Sequence, residues 1–400
     1  MNLPAAMVSE ASAAPFRRQL PAVLAAQLAT ALGDNALLIV AIALLEQRQA
    51  PAWATPALRV AFYAAYVLLA PVAGRLAERL RKGSLMTAVN LLKGAGALAL
   101  LAGAHPLFVF CAIGLGASCY APARYGLLPE LASGPALLRA NAAMEIVTIA
   151  AILAGTLLGS RLVAHPALQM ACLLLAGVYG VAALCSAGAN GRNAGRPQTS
   201  MAFGAATARL LADPRARHSL QITSVFWAAA AVLQFLLIDW ARSRLGLSLA
   251  GAALLPGTLA IGMVAGSVLA GRTVRPHAHT HARTHGALLA LSLGAAIAIL
   301  PITAHVWSAA ALLLASGVLA GALLVPMNAT LQARGAALVG AGMSVAVQNC
   351  LENGLSLLFL AAYGLALAAG LQAAPALVAL GVLVMLLLLA ALWGGRHDHA

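Results

Sequence analysis

Charge is what this chain has least of. Only 8% of its 400 residues are Asp, Glu, Lys or Arg, and just 10 are acidic, against about 25% charged residues in an ordinary soluble domain. That scarcity, with 62% hydrophobic residues and a mean hydropathy of +0.92, places the chain outside the soluble range and makes it a polytopic membrane protein. Cysteine is sparse too. Cys111, Cys119, Cys172, Cys185 and Cys350 all fall in apolar runs with no C-x-x-C pair, so they read as small core residues and not as disulfides or ligands. No Ser-His-Asp order, H-E-x-x-H or D-D-x-x-D-type cluster appears, which argues against a membrane enzyme and calls for no cofactor. The only metal-like pattern is PHAHTHARTH, with His277, His279, His281 and His285. It has no acid or Cys to complete a set, so it reads as a solvated basic loop.

What the chain has in abundance is apolar stretches of about 20 residues, each long enough to cross a hydrocarbon core. They fall at about 20–46, 58–80, 84–104, 106–129, 137–163, 166–187, 219–241, 248–271, 285–304, 306–328, 338–368 and 372–394. The first is a full span without a convincing small-residue cleavage site, so no cleavable signal peptide is expected. The longest gap, 186–217, is polar, Gly-rich and basic. The expected fold is therefore an all-α membrane protein of twelve transmembrane helices in two six-helix halves, 1–187 and 219–400, joined by a linker over 188–218. That plan suits a secondary transporter with its site near the bilayer midplane between the halves.

The net charge of +14 raises the question of nucleic acid, but the distribution of the basic residues answers it. Eighteen of the 24 Lys and Arg collect in alternate loops and at the ends of the chain, while Arg48, Arg59, Arg161, Arg242 and Arg244 mark the other side and Lys93 lies inside a span. By the positive-inside rule the richer side, with both termini, is cytoplasmic. The basic residues thus orient helices, and no nucleic acid partner is implied.

One of the cytoplasmic loops has a recognisable pattern. Gly74-Arg-Leu-Ala-Glu78-Arg79-Leu-Arg81-Lys82-Gly83 resembles the loop signature of the major facilitator superfamily, with Glu78 and Arg81 where the family has its usual Asp and second glycine. Glu78 is suited to stabilise the positive end of a neighbouring helix, and Arg79 to pair across the cytoplasmic gap in one conformation. The matching 8–9 loop keeps Gly266 and Arg272 but has no acid.

Polar groups inside the spans mark a pathway, because ionisable residues are costly there and face a bundle interior or water-filled cavity. In the first span Gly33-Asp34-Asn35 interrupts an apolar helix, and Gln27, Thr30 and Asp34 form one polar stripe. Span three carries Lys93, span four ends in Tyr120 to Gly126 around Arg124, and span five has Asn141, Glu145 and Thr148 on one face. In span eleven Ser344, Gln348, Glu352 and Ser356 recur every four residues beside Asn349 and Asn353. Packing glue is an equal reading for Asn349 and Ser356. The acids, opposed by Lys93 and Arg124, suit a molecule with an anionic phosphate and an amine; a cation such as Arg124, or the substrate amine, is the expected partner of Asp34. Pro122 and Pro326 lie inside spans four and ten, where a kink permits bending.

Four blocks extend the resemblance to nearly the whole chain: GDNALL (Gly33 to Leu38), YAPARYGLLPEL (Tyr120 to Leu131), VPMNATLQARG (Val325 to Gly335) and GAGMSVAVQNCLENG (Gly340 to Gly354). They resemble the bacterial lysophospholipid transporters, the LplT family of the major facilitator superfamily. The resemblance implies an inner-membrane flippase that brings lysophosphatidylethanolamine and related lysophospholipids from the outer to the cytoplasmic leaflet. There a partner acyltransferase and acyl-carrier-protein synthetase reacylates them. It carries the family's first-span acid onto Asp34, its fourth-span cation onto Arg124, and its eleventh-span Gln-Asn and acid onto Gln348, Asn349 and Glu352. One position departs: the family's arginine before Phe-Leu-Leu in span seven is Gln234 here. The alternative reading is a proton-coupled exporter of amphipathic drugs, driven through Asp34 or Glu145.

Overall fold

The computed structural model describes residues 5–51, 54–163, 168–189, 201–247, 249–252, 254–273 and 279–393; of these, the side chains of 5–18, 55, 56, 59, 168, 249, 250, 273, 279–287, 392 and 393 are outside that description. The described residues are helical throughout, with no strand. The helices are α1 Ala5–Gln47, α2 Ala54–Arg79, α3 Lys82–Leu101, α4 Pro106–Leu131, α5 Gly134–Val163, α6 Leu168–Ala187, α7 Phe203–Ala212, α8 Pro214–Leu245, α9 Leu249–Ala252, α10 Leu255–Thr273, α11 His279–Ile299, α12 Val306–Leu338, α13 Ala341–Ala368 and α14 Ala373–Trp393. Among the described residues 11 helices are long and apolar enough to cross a membrane; where a further span is expected, Leu288–Ile302 is a shorter apolar helix.

Several boundaries differ from those the hydropathy predicts, each for a local reason. The segment expected over 248–271 begins as the single turn α9 and starts again as α10, which has Pro256 in its first turn, where a missing N–H costs nothing. Helix α12 runs about ten residues beyond its apolar part. Asn328, Thr330, Gln332 and Arg334 lower hydropathy without breaking a helix, and the stop comes where Gly340 adopts φ +93°. The polar linker holds α7, with Ala206 and Leu210 buried. Helix α8 begins at a built cap: Asp213 accepts from the Ala216 N–H at 2.9 Å, Pro214 follows, and Gly246 ends the helix in the left-handed region.

The chain divides into two compact units. The first comprises Met1–Ala140, Val147–Leu210 and Gln332–Cys350. In it α3 packs on α6 and α4, α2 on α4, and α1 on α6 and α4, around Leu37, Val40, Leu58, Ala97, Ile113, Leu175 and Tyr179. The first ten residues of α13 lie along α2: a Cβ on Gly74 would meet the Met343 sulfur at 2.8 Å, and one on Gly342 the Ala77 methyl at 2.6 Å. Pro71 lacks the N–H that would bond the Val67 carbonyl, and the Cys350 thiol donates to that oxygen at 3.9 Å.

The second unit comprises Asn141–Ile146, Leu211–Leu331 and Leu351–Ala400. Here α14 packs on α11 and α8. Helices α10 and α12 cross backbone to backbone, because a Cβ on Gly262 would lie 2.1 Å from the Leu314 carbonyl oxygen and one on Gly317 2.1 Å from that of Leu259.

Candidate functional site

Asp34 lies near the middle of the apolar run of α1, where an ionised acid costs at least about 2.5 to 3.5 kcal/mol unless it is compensated. Lys93 of α3 compensates it, its Nζ donating to the two carboxylate oxygens at 3.0 and 2.7 Å. The Tyr179 hydroxyl of α6 donates to Oδ1 at 2.8 Å. Asp34 is therefore paired with Lys93 and not with Arg124. Lys93 is sealed in, with a side chain 1% exposed, whereas that of Asp34 is 22% exposed. The pair is electrically neutral, and its accessible end is the carboxylate.

The rest of the α1 stripe also reaches other helices. Gln27 donates from Nε2 to the Thr148 hydroxyl on α5 at 2.9 Å. The Thr30 hydroxyl donates to Asn90 Oδ1 at 2.8 Å and lies 3.4 Å from that of Tyr120. Asn90 in turn donates to Ser186 at 3.1 Å. Asn35, next to Asp34, turns away: its Nδ2 donates to the Ala31 carbonyl of its own helix at 2.8 Å, and its Cβ faces the gap left by Gly155 of α5.

Tyr120 is buried with two cations near its ring, Lys93 Nζ 5.4 Å and Arg124 Cζ 5.8 Å from the centroid. The Arg124 guanidinium stacks 4.0 Å from the centroid of Tyr125. Its Nε is buried without a hydrogen-bond partner, and no carboxylate lies within ion-pair distance of it among the described residues. The first unit thus brings together one neutral ion pair and one uncompensated cation around a single phenol ring. That arrangement attracts an anion.

The remaining polar positions divide between the units. Gln348 and Asn349 belong to the α13 segment of the first unit, with Gln348 buried. Glu145 and Glu352, both buried, belong to the second. Near Gln234, Asp239 Oδ2 accepts from the Tyr363 hydroxyl at 3.1 Å, also within the second unit. His277 lies outside the described residues, as do the side chains of His279, His281 and His285.

At the other end of α2, Glu78 Oε1 accepts from the Gly342 N–H at 2.5 Å and the Met343 N–H at 3.2 Å, the unpaired donors at the start of α13. Gly74 admits α13 beside it, as described above, and Arg79 is exposed. The cation held in this region is Lys82, which pairs with Glu130 at the end of α4. A Cβ on Gly126 would lie 3.2 Å from Lys82 Cε and 3.1 Å from the Gly342 nitrogen. Tyr179 and Asn90 were not marked by the sequence pattern, and Tyr125, Lys82 and Glu130 appeared there only as members of longer motifs with no role of their own. The only sign of Tyr179 is a lone phenol in a helix otherwise built of small and apolar residues.

The family model described as Major Facilitator Superfamily matches residues 23–351. The lysophospholipid transporter LplT of Pectobacterium carotovorum subsp. carotovorum (strain PC1) is 39% identical over 363 residues, covering 89% of this chain and 88% of that protein. LplT of Escherichia coli O9:H4 (strain HS) is 37% identical over 392 residues, covering 96% and 97%. Among solved structures, the human organic anion transporter MFSD10 superposes with a TM-score of 0.74 at 16% identity, over 94% of this chain and 99% of its own. The Escherichia coli fucose:proton symporter FucP does so with 0.73 at 15%, over 94% and 98%. Those structures show the same fold. Multi-pass helical architecture, the loop pattern around Glu78 and these alignments together place the chain in the Major Facilitator Superfamily.

Proposed function

We propose that this protein transports lysophospholipids, moving lysophosphatidylethanolamine and related one-chain lipids across the bacterial inner membrane to the cytoplasmic leaflet. The observation that carries the reading is Arg124, a cation stacked on Tyr125 with no carboxylate partner among the described residues, beside the Asp34–Lys93 pair. It offers a phosphate a charge-assisted, bidentate partner, while the partly open Asp34 carboxylate offers an acceptor to an amine. Relatives 37–40% identical that carry the name lysophospholipid transporter support the same substrate class.

Orientation follows from the charge pattern in this reading, and the direction of transport is the one that the family resemblance implies. The basic linker and both termini are cytoplasmic, so a lysolipid from the outer leaflet is delivered to the side where a partner acyltransferase and acyl-carrier-protein synthetase restores its second chain. The halves 1–187 and 219–400 are the moving parts, and Glu145, Gln348, Asn349 and Glu352 are further polar positions for the substrate in this reading. The test is uptake of labelled lysophosphatidylethanolamine by spheroplasts that carry the protein, with and without Arg124→Gln. Expected is uptake well above cells without the protein and its loss in the variant; uptake equal to the protein-free background overturns the proposal.

A further inference from the structure

Tyr179 is completely buried, with 0% exposure, and it is the one group on α6 that reaches the charged pair. Its ring is seated by two glycines, each adjacent in sequence to one member of that pair. A Cβ on Gly33, beside Asp34, would lie 3.0 Å from the Tyr179 ring; one on Gly94, beside Lys93, would lie 3.5 Å from its Cβ. The same two peptide units therefore project the charges and make room for the phenol. Lys93 touches both carboxylate oxygens, whereas the Tyr179 hydroxyl takes Oδ1 alone at 2.8 Å. The ammonium is held by a flexible stem with rotatable donors, but the phenol is rigid and packed, so its hydroxyl is the contact that fixes the carboxylate plane.

We infer that Tyr179 is a positioning residue of the substrate site: it holds Asp34 in a fixed orientation so that an arriving head-group amine meets a preformed acceptor while Lys93 remains in place behind it. The inference rests on the lysophospholipid reading above and adds a residue that acts only through Asp34. The phenol is a neutral donor and makes no ion pair of its own, so its contribution is geometric: removing it lets the carboxylate rotate about the Lys93 contact, and the bound head group loses alignment.

Tyr179→Phe tests this, because it keeps the ring between Gly33 and Gly94 and deletes one oxygen. A hydrogen bond to a charged group is worth enough for about tenfold in affinity. For lysophosphatidylethanolamine uptake, the expected result is therefore a KM raised about tenfold with the maximum rate within about twofold of wild type, and a reduced lysolipid-induced rise in melting temperature of the detergent-purified protein. Two double variants separate positioning from scaffolding. In an Asp34→Asn background, where uptake is lost and binding alone is read, Tyr179→Phe is expected to leave the remaining lysolipid-induced rise in melting temperature unchanged, whereas in an Arg124→Lys background its effect on both readouts is expected to persist in full. Wild-type KM in Tyr179→Phe overturns the inference, as does an undiminished effect in the Asp34→Asn background. If the wild-type protein itself neither binds nor takes up lysolipid, it is the transport reading that fails. If Tyr179→Phe lowers yield and melting temperature without lipid while KM holds, the residue is a packing element and the inference is again overturned.

Discussion

Glu78 and Gly342 are 264 residues apart in the chain, yet the carboxylate of one accepts from the peptide N–H of the other at 2.5 Å. The carboxylate faces the positive end of α13, an interaction worth about 0.3 to 1 kcal/mol when exposed and up to about 2 when partly buried. The carboxylate packs so close that a Cβ on Gly340, itself at φ +93°, would lie 2.8 Å from the Glu78 carboxyl carbon.

Glu78→Gln keeps an acceptor but removes the charge. The α2–α13 seam is expected to open more often, seen as faster alkylation of a Met343→Cys reporter. Lysolipid uptake should slow several-fold while the amount of protein in the membrane is unchanged. Wild-type alkylation and uptake would leave the loop charge a topological role alone.

Taken alone, replacing an intramembrane carboxylate at Asp34 by a neutral amide relieves a desolvation cost. The buried Lys93 reverses that sign, because the variant leaves an ammonium with a 1% exposed side chain facing a neutral amide, and breaking a buried pair costs about 3 kcal/mol or more. Transport is expected to collapse and the melting temperature to fall. Asp34→Asn combined with Lys93→Met should recover the melting temperature but not transport, which separates the structural from the functional share of the pair. The informative charge exchange is accordingly Asp34→Lys with Lys93→Asp.

Arg124 reads as a phosphate partner because it is planar, stacked and, among the described residues, without an acid in ion-pair reach. Arg124→Lys keeps the charge but loses the fork and the stack on Tyr125, a cation–π contact worth about 0.5 to 1 kcal/mol; Arg124→Gln loses the charge as well. The KM for lysophosphatidylethanolamine is expected to rise in the order wild type, Lys, Gln. Equal KM values for all three would remove the phosphate contact from the mechanism.

Gly262→Ala places a methyl 2.1 Å from the Leu314 carbonyl oxygen, a backbone atom that cannot swing aside. Overpacking of this kind costs about 1 to 3 kcal/mol. Monodisperse yield in detergent and melting temperature are expected to drop, whereas Gly257→Ala, with open space around it, should match wild type.

The architecture was largely legible because the bilayer demands about 20 apolar residues per crossing, and the runs around Val89, Ile113 and Leu377 show that plainly. Ends were less so: hydropathy stops where the membrane stops, but α12 continues to Leu338 because Gln332 and Arg334 are good helix formers. Of the candidate site, charged residues at depth stood out, and Asp34, Lys93 and Arg124 were singled out that way. Which of them pair was hidden, since spacing within one helix says nothing about which neighbour it faces. Tyr179 was invisible for another reason: a phenol counts as apolar until the partner of its hydroxyl is known.

The Val67 carbonyl, orphaned by Pro71, finds its thiol donor 283 residues further on, in Cys350. A ribosome adding about 5 to 20 residues per second needs roughly a quarter of a minute to a minute to cover that distance. Until that point the native partners of the Val67 carbonyl and of Glu78, namely Cys350 and the N–H groups of Gly342 and Met343, do not yet exist. During biosynthesis this helix is thus finished late, by a piece of chain that has not yet been made, and any quality-control step that inspects nascent membrane proteins meets it in its least satisfied form.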